Sequence, residues 1–250
     1  MEMEQGGEGP DLLLMLHGMG ATGAVWSPMC AMAGARWAGR WVVMDLPGHG
    51  RSDRQDSYAI GQYAASVARA VLPHVEPAGR LVVLGHSLGG VISLALATGW
   101  FGVAPHRVFG AGIKLAWSDD ELRRMATLAS QPAKRFATEE EAWDRYLKVS
   151  GLAGIAGAAA PVVARGIRRE TDGWCLAMDP RAHGIGKPPV ADLVALARCP
   201  VHLGRGGDDA LVTMEQTRAL DPAASELGPH GHNVMVEGPG RVWDWVASHE

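Results

Sequence analysis

Gly85-His86-Ser87-Leu88-Gly89 sets a serine between two glycines, directly after a strand-like run at 80–84 whose last four residues are apolar, and before a small-residue helical pattern at 91–97. A serine at the apex of a sharp strand-to-helix turn is a nucleophile elbow. The turn strains the serine backbone, the glycines avoid collisions, and the helix start aims its N–H groups at a developing oxyanion. A serine hydroxyl is a weak nucleophile at neutral pH, so it needs a base, and the base needs a group to orient it. In this arrangement both partners follow the serine in the chain. Among the late histidines, His230 and His232 are the candidates. His232 is favoured, because Gly231-His232-Asn233 permits a tight loop just before the last strand-like residues. The acid should follow an intervening strand. Asp208 and Asp209 come after the strand-like residues 200–203, and adjacent side chains cannot both face the histidine. Asp209 is favoured, with Asp208 the alternative. Asp119 and Asp120 are the outside choice, since they also read as the acidic start of a helix.

Acyl transfer further requires two N–H donors about 3 Å from the oxyanion. Leu88, next to the nucleophile, supplies one. The second is expected from the loop His17-Gly18-Met19-Gly20 after the first strand, with Met19 N–H as the donor. The His17 ring reads as a brace for this loop, and His17 and Gly18, with Trp117, are also placed among the residues that contact substrate.

The elements that hold these residues alternate. Strand-like runs at 12–16, 41–44, 80–84, 107–112, 200–203 and 234–236 are separated by helical patterns, among them 60–72 and 91–97. Short, continuously apolar strands alternating with helices predict an α/β fold with a doubly wound, mostly parallel sheet of about six strands. Residues 117–190 show helical patterns at 119–129, 138–149 and 152–169 and no convincing strand. They are read as a helical cap over the carboxyl edge of the sheet, where such folds bind ligands. The organisation expected is core at 1–116, cap at 117–190 and core again at 191–250.

Composition narrows the function further. With 250 residues, 47% of them apolar, the chain suits one domain with a continuous core. A net charge of −4 without clustered Lys and Arg speaks against nucleic acid as partner. Cys30, Cys175 and Cys199 match neither a disulfide framework nor a metal-ligand set, and no metal or cofactor is called for. The Glu- and Gly-rich N-terminus does not read as a secretory signal, and no run approaches the roughly 20 apolar residues of a membrane span. A cytoplasmic protein with no membrane partner is expected.

Taken together, the motifs resemble the α/β-hydrolase superfamily. The similarity rests on His17-Gly18 after a strand with Trp26 beyond it, and on Asp45-Leu46-Pro47-Gly48-His49-Gly50-Arg51-Ser52. The elbow with Gly90, the stretch Gly206 and Asp208 to Val212, and Gly231-His232-Asn233 complete it, in the family's order. The resemblance implies a Ser87–His232–Asp209 triad, Met19 and Leu88 amides as the oxyanion hole, and a helical cap. One departure stands out. Family members usually carry an antiparallel hairpin before the His-Gly strand, and only about ten residues precede it here. A sheet shortened at that edge is therefore expected, with a partner subunit, as in a homodimer, as one means of protecting it. Serine at the elbow separates the chain from dehalogenases and epoxide hydrolases of this superfamily, which use aspartate. The activity expected is hydrolysis of small to medium hydrophobic carboxylic esters. A lactonase, thioesterase or C–C bond hydrolase would use the same triad, and a non-catalytic ligand-binding protein would use the same fold. Arg165, Arg168 and Arg169 are the residues from which a thioesterase would build a basic entrance.

Overall fold

Leu12–Leu16 reads Leu-Leu-Leu-Met-Leu and is buried at every position. Leu12, Leu14 and Leu16 pack into one cluster and Leu13 and Met15 into another, so the strand sits in a sheet covered on both faces. The structure, a computed structural model, describes residues 1–157 and 159–249. In chain order its elements are β1 (Met3–Gly6), β2 (Leu12–Leu16), α1 (Ser27–Arg36), β3 (Arg40–Met44), α2 (Ile60–Val71), β4 (Leu81–His86), α3 (Leu88–Ala97) and β5 (Arg107–Ala111). There follow α4 (Asp119–Ser130), α5 (Glu139–Val149), β6 (Ile167–Glu170), β7 (Gly173–Leu176), α6 (Val190–Ala195), β8 (Val201–Arg205), α7 (Met214–Leu220), β9 (Ser225–Glu226), α8 (Val234–Glu237) and α9 (Pro239–Ala247).

Seven strands form the main sheet in the order β1-β3-β2-β4-β5-β8-β9. All neighbours are parallel except β1 and β3. Residues of α2, α3 and α6 cover one face, and residues of α1 and α9 the other. The parallel order brings the carboxyl ends of β2, β4, β5 and β8 side by side, and the loops carrying the predicted site residues leave from those ends.

The α/β class is as expected, and several details are not. Met3–Gly6 pairs antiparallel with β3, Met3 opposite Met44, so the sheet has the edge strand that its short N-terminal segment seemed too brief to provide. Residues 234–236 are helical rather than a sixth strand: Gly238 N closes the turn by donating to Val234 O at 2.8 Å, and Pro239 then opens α9. The far edge is instead the two-residue β9. Between β5 and α6 the chain is not all helix: β6 and β7 form an antiparallel hairpin through Thr171-Asp172, with Gly173 at φ 129. The helix expected over 152–169 does not form among its described residues, because Gly151 and Gly154 take φ of 72 and 80 and Pro161 opens a 3₁₀ turn. Ala158, within that stretch, lies outside the described residues.

This inserted segment is tied down at its end. Asp179 N donates to Gly48 O at 2.7 Å, and Tyr58 Oη donates to the Asp179 carboxylate at 2.8 Å. Burial alone would push the Asp179 carboxyl up, but hydrogen bonds from Arg181 and Tyr58 hold it below the usual range. Among the described residues no helix is long and apolar enough to cross a membrane.

Candidate active site

The elbow is built by close packing. Ser87 stands at φ 50 and ψ −113, between the end of β4 and the start of α3. Such a conformation costs a non-glycine residue about 1–3 kcal/mol and persists only where the surroundings enforce it. Here they do, since all ten residues of α3 are buried. A Cβ on Gly85 would come within 2.3 Å of Gly89 O, and one on Gly89 within 2.2 Å of Leu16 O. Helix and strand meet at a distance only glycine allows. Ser87 N is anchored to Ala111 O at 2.9 Å, and the side chain keeps partial exposure.

The base and acid meet across two loops. His232 Nδ1 donates to Asp209 Oδ2 at 2.8 Å, and Asp209 Oδ1 accepts from Leu211 N at 2.8 Å. With its Nδ1 proton committed to the carboxylate, the ring keeps Nε2 free to take a hydroxyl proton. Asp209 is 5% exposed, whereas Asp208 faces solvent. His230 is turned elsewhere: its ring packs on Gly238, where an added Cβ would lie 2.1 Å from Nε2. Asp119 and Asp120 occupy the exposed first turn of α4. Ser87 Oγ and His232 Nε2 do not hydrogen-bond in this arrangement, a looseness common before substrate tightens a site.

The His232 loop is gripped from three directions. The Glu237 carboxylate accepts from Gly231 N at 2.7 Å and Asn233 N at 3.2 Å. Asn233 Nδ2 donates to Ser150 O and Gly151 O, just past the end of α5. His86 Nε2 lies 2.9 Å from His232 O.

Met19 and Leu88 both line the pocket that holds Ser87. Leu88 is the first residue of α3, so its N–H has no intrahelical acceptor. Among the described residues neither Met19 N nor Leu88 N has a partner, which leaves both amides available to an oxyanion. Gly18 brings this loop against the elbow, for a Cβ there would stand 3.2 Å from Ser87 Cβ.

His17 is corrected from a substrate contact to a structural brace. It is 0% exposed, its Nδ1–H donates to Gly18 O at 2.8 Å, and its Nε2 accepts from Leu46 N at 2.9 Å. Burial lowers its pKa to about 4, so the ring is neutral. His49, against which it packs at 5.2 Å, is lowered by burial to about 3. Beside them Asp45 accepts from Gly23 N and Arg51 N and links the loops after β2 and β3, while its burial raises its own pKa.

The pocket over Ser87 measures about 260 Å³ and is walled mainly by Met19, Leu88, Val91, Trp117, Met125 and Leu128. Trp117 therefore lines the same pocket as Ser87. Lys114 and His183 also reach this pocket, and nothing in their sequence surroundings singled them out. Lys114 pairs with Glu121 and lies 4.8 Å over the Trp117 ring, so its charge is neutralised at the wall. Arg165 pairs with Glu4, Arg168 donates to Ala177 O, and Arg169 lies 5.9 Å over the Trp174 ring. None of those three arginines lines the pocket over Ser87. Among the described residues no three His, Cys, Asp or Glu side chains group as metal ligands.

An elbow serine, a His–Asp pair and two amides without partners among the described residues thus stand together at the carboxyl edge of a parallel sheet. The chain matches the Alpha/beta hydrolase family over residues 13–245 and belongs to it. Among curated proteins it is 37% identical over 99 residues to the pimeloyl-(acyl-carrier protein) methyl ester esterase of Aeromonas salmonicida (strain A449), covering 39% of this chain and 35% of that enzyme. The chain thus spans about a third of the length of that relative. Among solved structures it resembles E-2-(acetamidomethylene)succinate hydrolase, with a TM-score of 0.79 at 18% identity over 98% of this chain and 93% of that one. It also resembles the thioesterase domain from the curacin biosynthetic pathway, with a TM-score of 0.77 at 18% identity over 98% and 94%.

Proposed function

We propose that this protein is a serine hydrolase that cleaves small to medium hydrophobic carboxylic esters through an acyl-enzyme on Ser87. The observation that carries this reading is the 2.8 Å bond from His232 Nδ1 to buried Asp209, made on the sheet edge that also presents the strained Ser87. Ser87 Oγ attacks the ester carbonyl while His232 Nε2 takes its proton. The negative charge that develops on the carbonyl oxygen is received by Met19 N–H and Leu88 N–H. The C–O bond to the alcohol then breaks as His232 returns the proton to the leaving oxygen. Water attacks the acyl-enzyme, gives its proton to Nε2, and Ser87 regains a proton as the acid leaves. Asp209 holds the ring orientation and stabilises the imidazolium throughout.

Two further points support an uncharged ester. The pocket walls are apolar, and the one lysine among them is paired. The Aeromonas relative is itself named for a methyl ester substrate. The test is hydrolysis of p-nitrophenyl esters across acyl lengths, alongside fluorophosphonate labelling, for wild type and Ser87→Ala. Short and medium acyl chains should turn over, and both turnover and label should vanish in the variant. A wild type that neither turns over nor labels would sink the reading.

A further inference from the structure

His86 stands between the two groups that the proposed chemistry joins. It precedes Ser87 in the chain, and its ring meets the His232 ring at 4.6 Å between centroids, inclined by 60°. The side chain is 3% exposed. Its Nε2 lies 2.9 Å from the backbone carbonyl of His232. A carbonyl oxygen only accepts, so Nε2 carries the proton and donates. Burial first, then the neighbouring His232 and His17, hold this ring well below the ordinary histidine range, so it stays neutral and Nδ1 is bare. Nδ1 faces Gly18, where an added Cβ would stand 2.9 Å away, and among the described residues it has no hydrogen-bond partner.

That unpaired nitrogen is informative. A phenyl ring would fill the same space without burying an unsatisfied acceptor, which is a costly thing to bury. What the imidazole offers in exchange is one hydrogen bond, made to the backbone of the base.

We infer that His86 is a positioning residue: as the neutral Nε2–H tautomer it anchors the His232 backbone, so that the base is held at two points and its Nε2 is aimed at Ser87. Asp209 fixes the ring and His86 fixes the residue that carries it. Without the second anchor the loop retains the Glu237 and Asn233 contacts, which hold residues on either side of His232 and not its carbonyl. The inference rests on His232 being the base, and its test has an arm that does not depend on turnover.

His86→Phe keeps the ring and removes the donor, while His86→Gln restores an N–H at the reach of Nε2. A misplacement of the order of 1 Å in a reacting group costs up to about 100-fold in rate. His86→Phe should therefore lower kcat by about 10- to 100-fold with KM within about twofold. His86→Gln should recover most of kcat. Imidazole ¹⁵N NMR of the wild type should show His86 as the neutral Nε2–H tautomer from pH 5 to 9. Full kcat in His86→Phe, equal losses in both variants, or an Nδ1–H tautomer would each overturn the inference. If His86→Phe does not fold, the Gln variant and the tautomer decide it. If wild type hydrolyses no ester, the proposed function fails, while the tautomer still tests the hydrogen bond.

Discussion

Two helices flank the pocket over Ser87 and are built on opposite terms. In α3 all ten residues are buried and glycines press the backbone onto β2 and β4. In α4 no residue is buried, yet Met125 and Leu128 from it wall the pocket. The first is held by the core and fixes the backbone angles of the nucleophile. The second is held by its Ser118 capping box and by packing on the 3₁₀ turn at Pro180–Ile185. A site on rigid elements holds its geometry, while a loosely packed cover adapts to what it encloses. Ser87 thus adjoins a helix that is buried throughout, and part of its pocket wall comes from a helix with no buried residue.

The largest effect should come from the rigid side. Ser87→Ala should lower kcat by about 10⁴-fold or more, with no loss of thermal stability, since it relieves no packing and removes only the nucleophile. Next, Asp209→Asn should cost about 10³- to 10⁴-fold in kcat through the wrong tautomer of His232, while Asp208→Asn should stay within about twofold. Comparable losses in both would break the assignment of the acid.

Acid should loosen the loops around the sheet edge. His17 and His49 are fully buried with pKa values of about 4 and about 3, below the roughly 6.5 of the unfolded chain. The unfolded chain therefore binds these protons first. Their contribution to stability is complete above pH 6.5 and is lost as pH falls toward 4, by about 1.4 kcal/mol per pH unit for each ring. Urea midpoints measured at pH 7, 6 and 5 should fall in step. A flat profile would mean that the rings are not held neutral.

The smallest effect belongs to the cover. Leu128→Ala should change the ratio of kcat/KM between short and medium acyl esters by about tenfold or less, with stability changed by about 0.5 kcal/mol or less. A large loss of stability would show α4 to be as integral to the fold as α3, and would remove the contrast.

The same contrast decides what could be read in the sequence. The elbow glycines, the five apolar strand cores and the His232 and Asp209 loops are set by local chemistry and short spacing, and these are legible. Edge elements are not. Met3–Gly6 reads Met-Glu-Gln-Gly, half of it polar, and is a strand only because β3 offers it a free edge. Val234-Met235-Val236 has the composition of a strand but packs as a helix beneath α9, where buried Val234 and Met235 join the α1–α9 cluster. The hairpin had a signal in Asp172-Gly173, the dipeptide of tight turns, masked by the charged residues Arg168, Arg169 and Glu170. Lys114 and His183 reach the pocket from distant points in the chain, so no local pattern marks them. His86 lay inside the recognised motif, and only the fold places the His232 carbonyl against its ring.

The central claim is that Ser87 carries the acyl group. Intact-mass analysis of protein quenched during turnover of a slow ester, followed by peptide mapping, tests it directly. The account predicts a mass increase equal to the acyl group, located on the peptide containing Ser87 and absent from Ser87→Ala. Ester turnover with no adduct on Ser87, or turnover undiminished in Ser87→Ala, would contradict it.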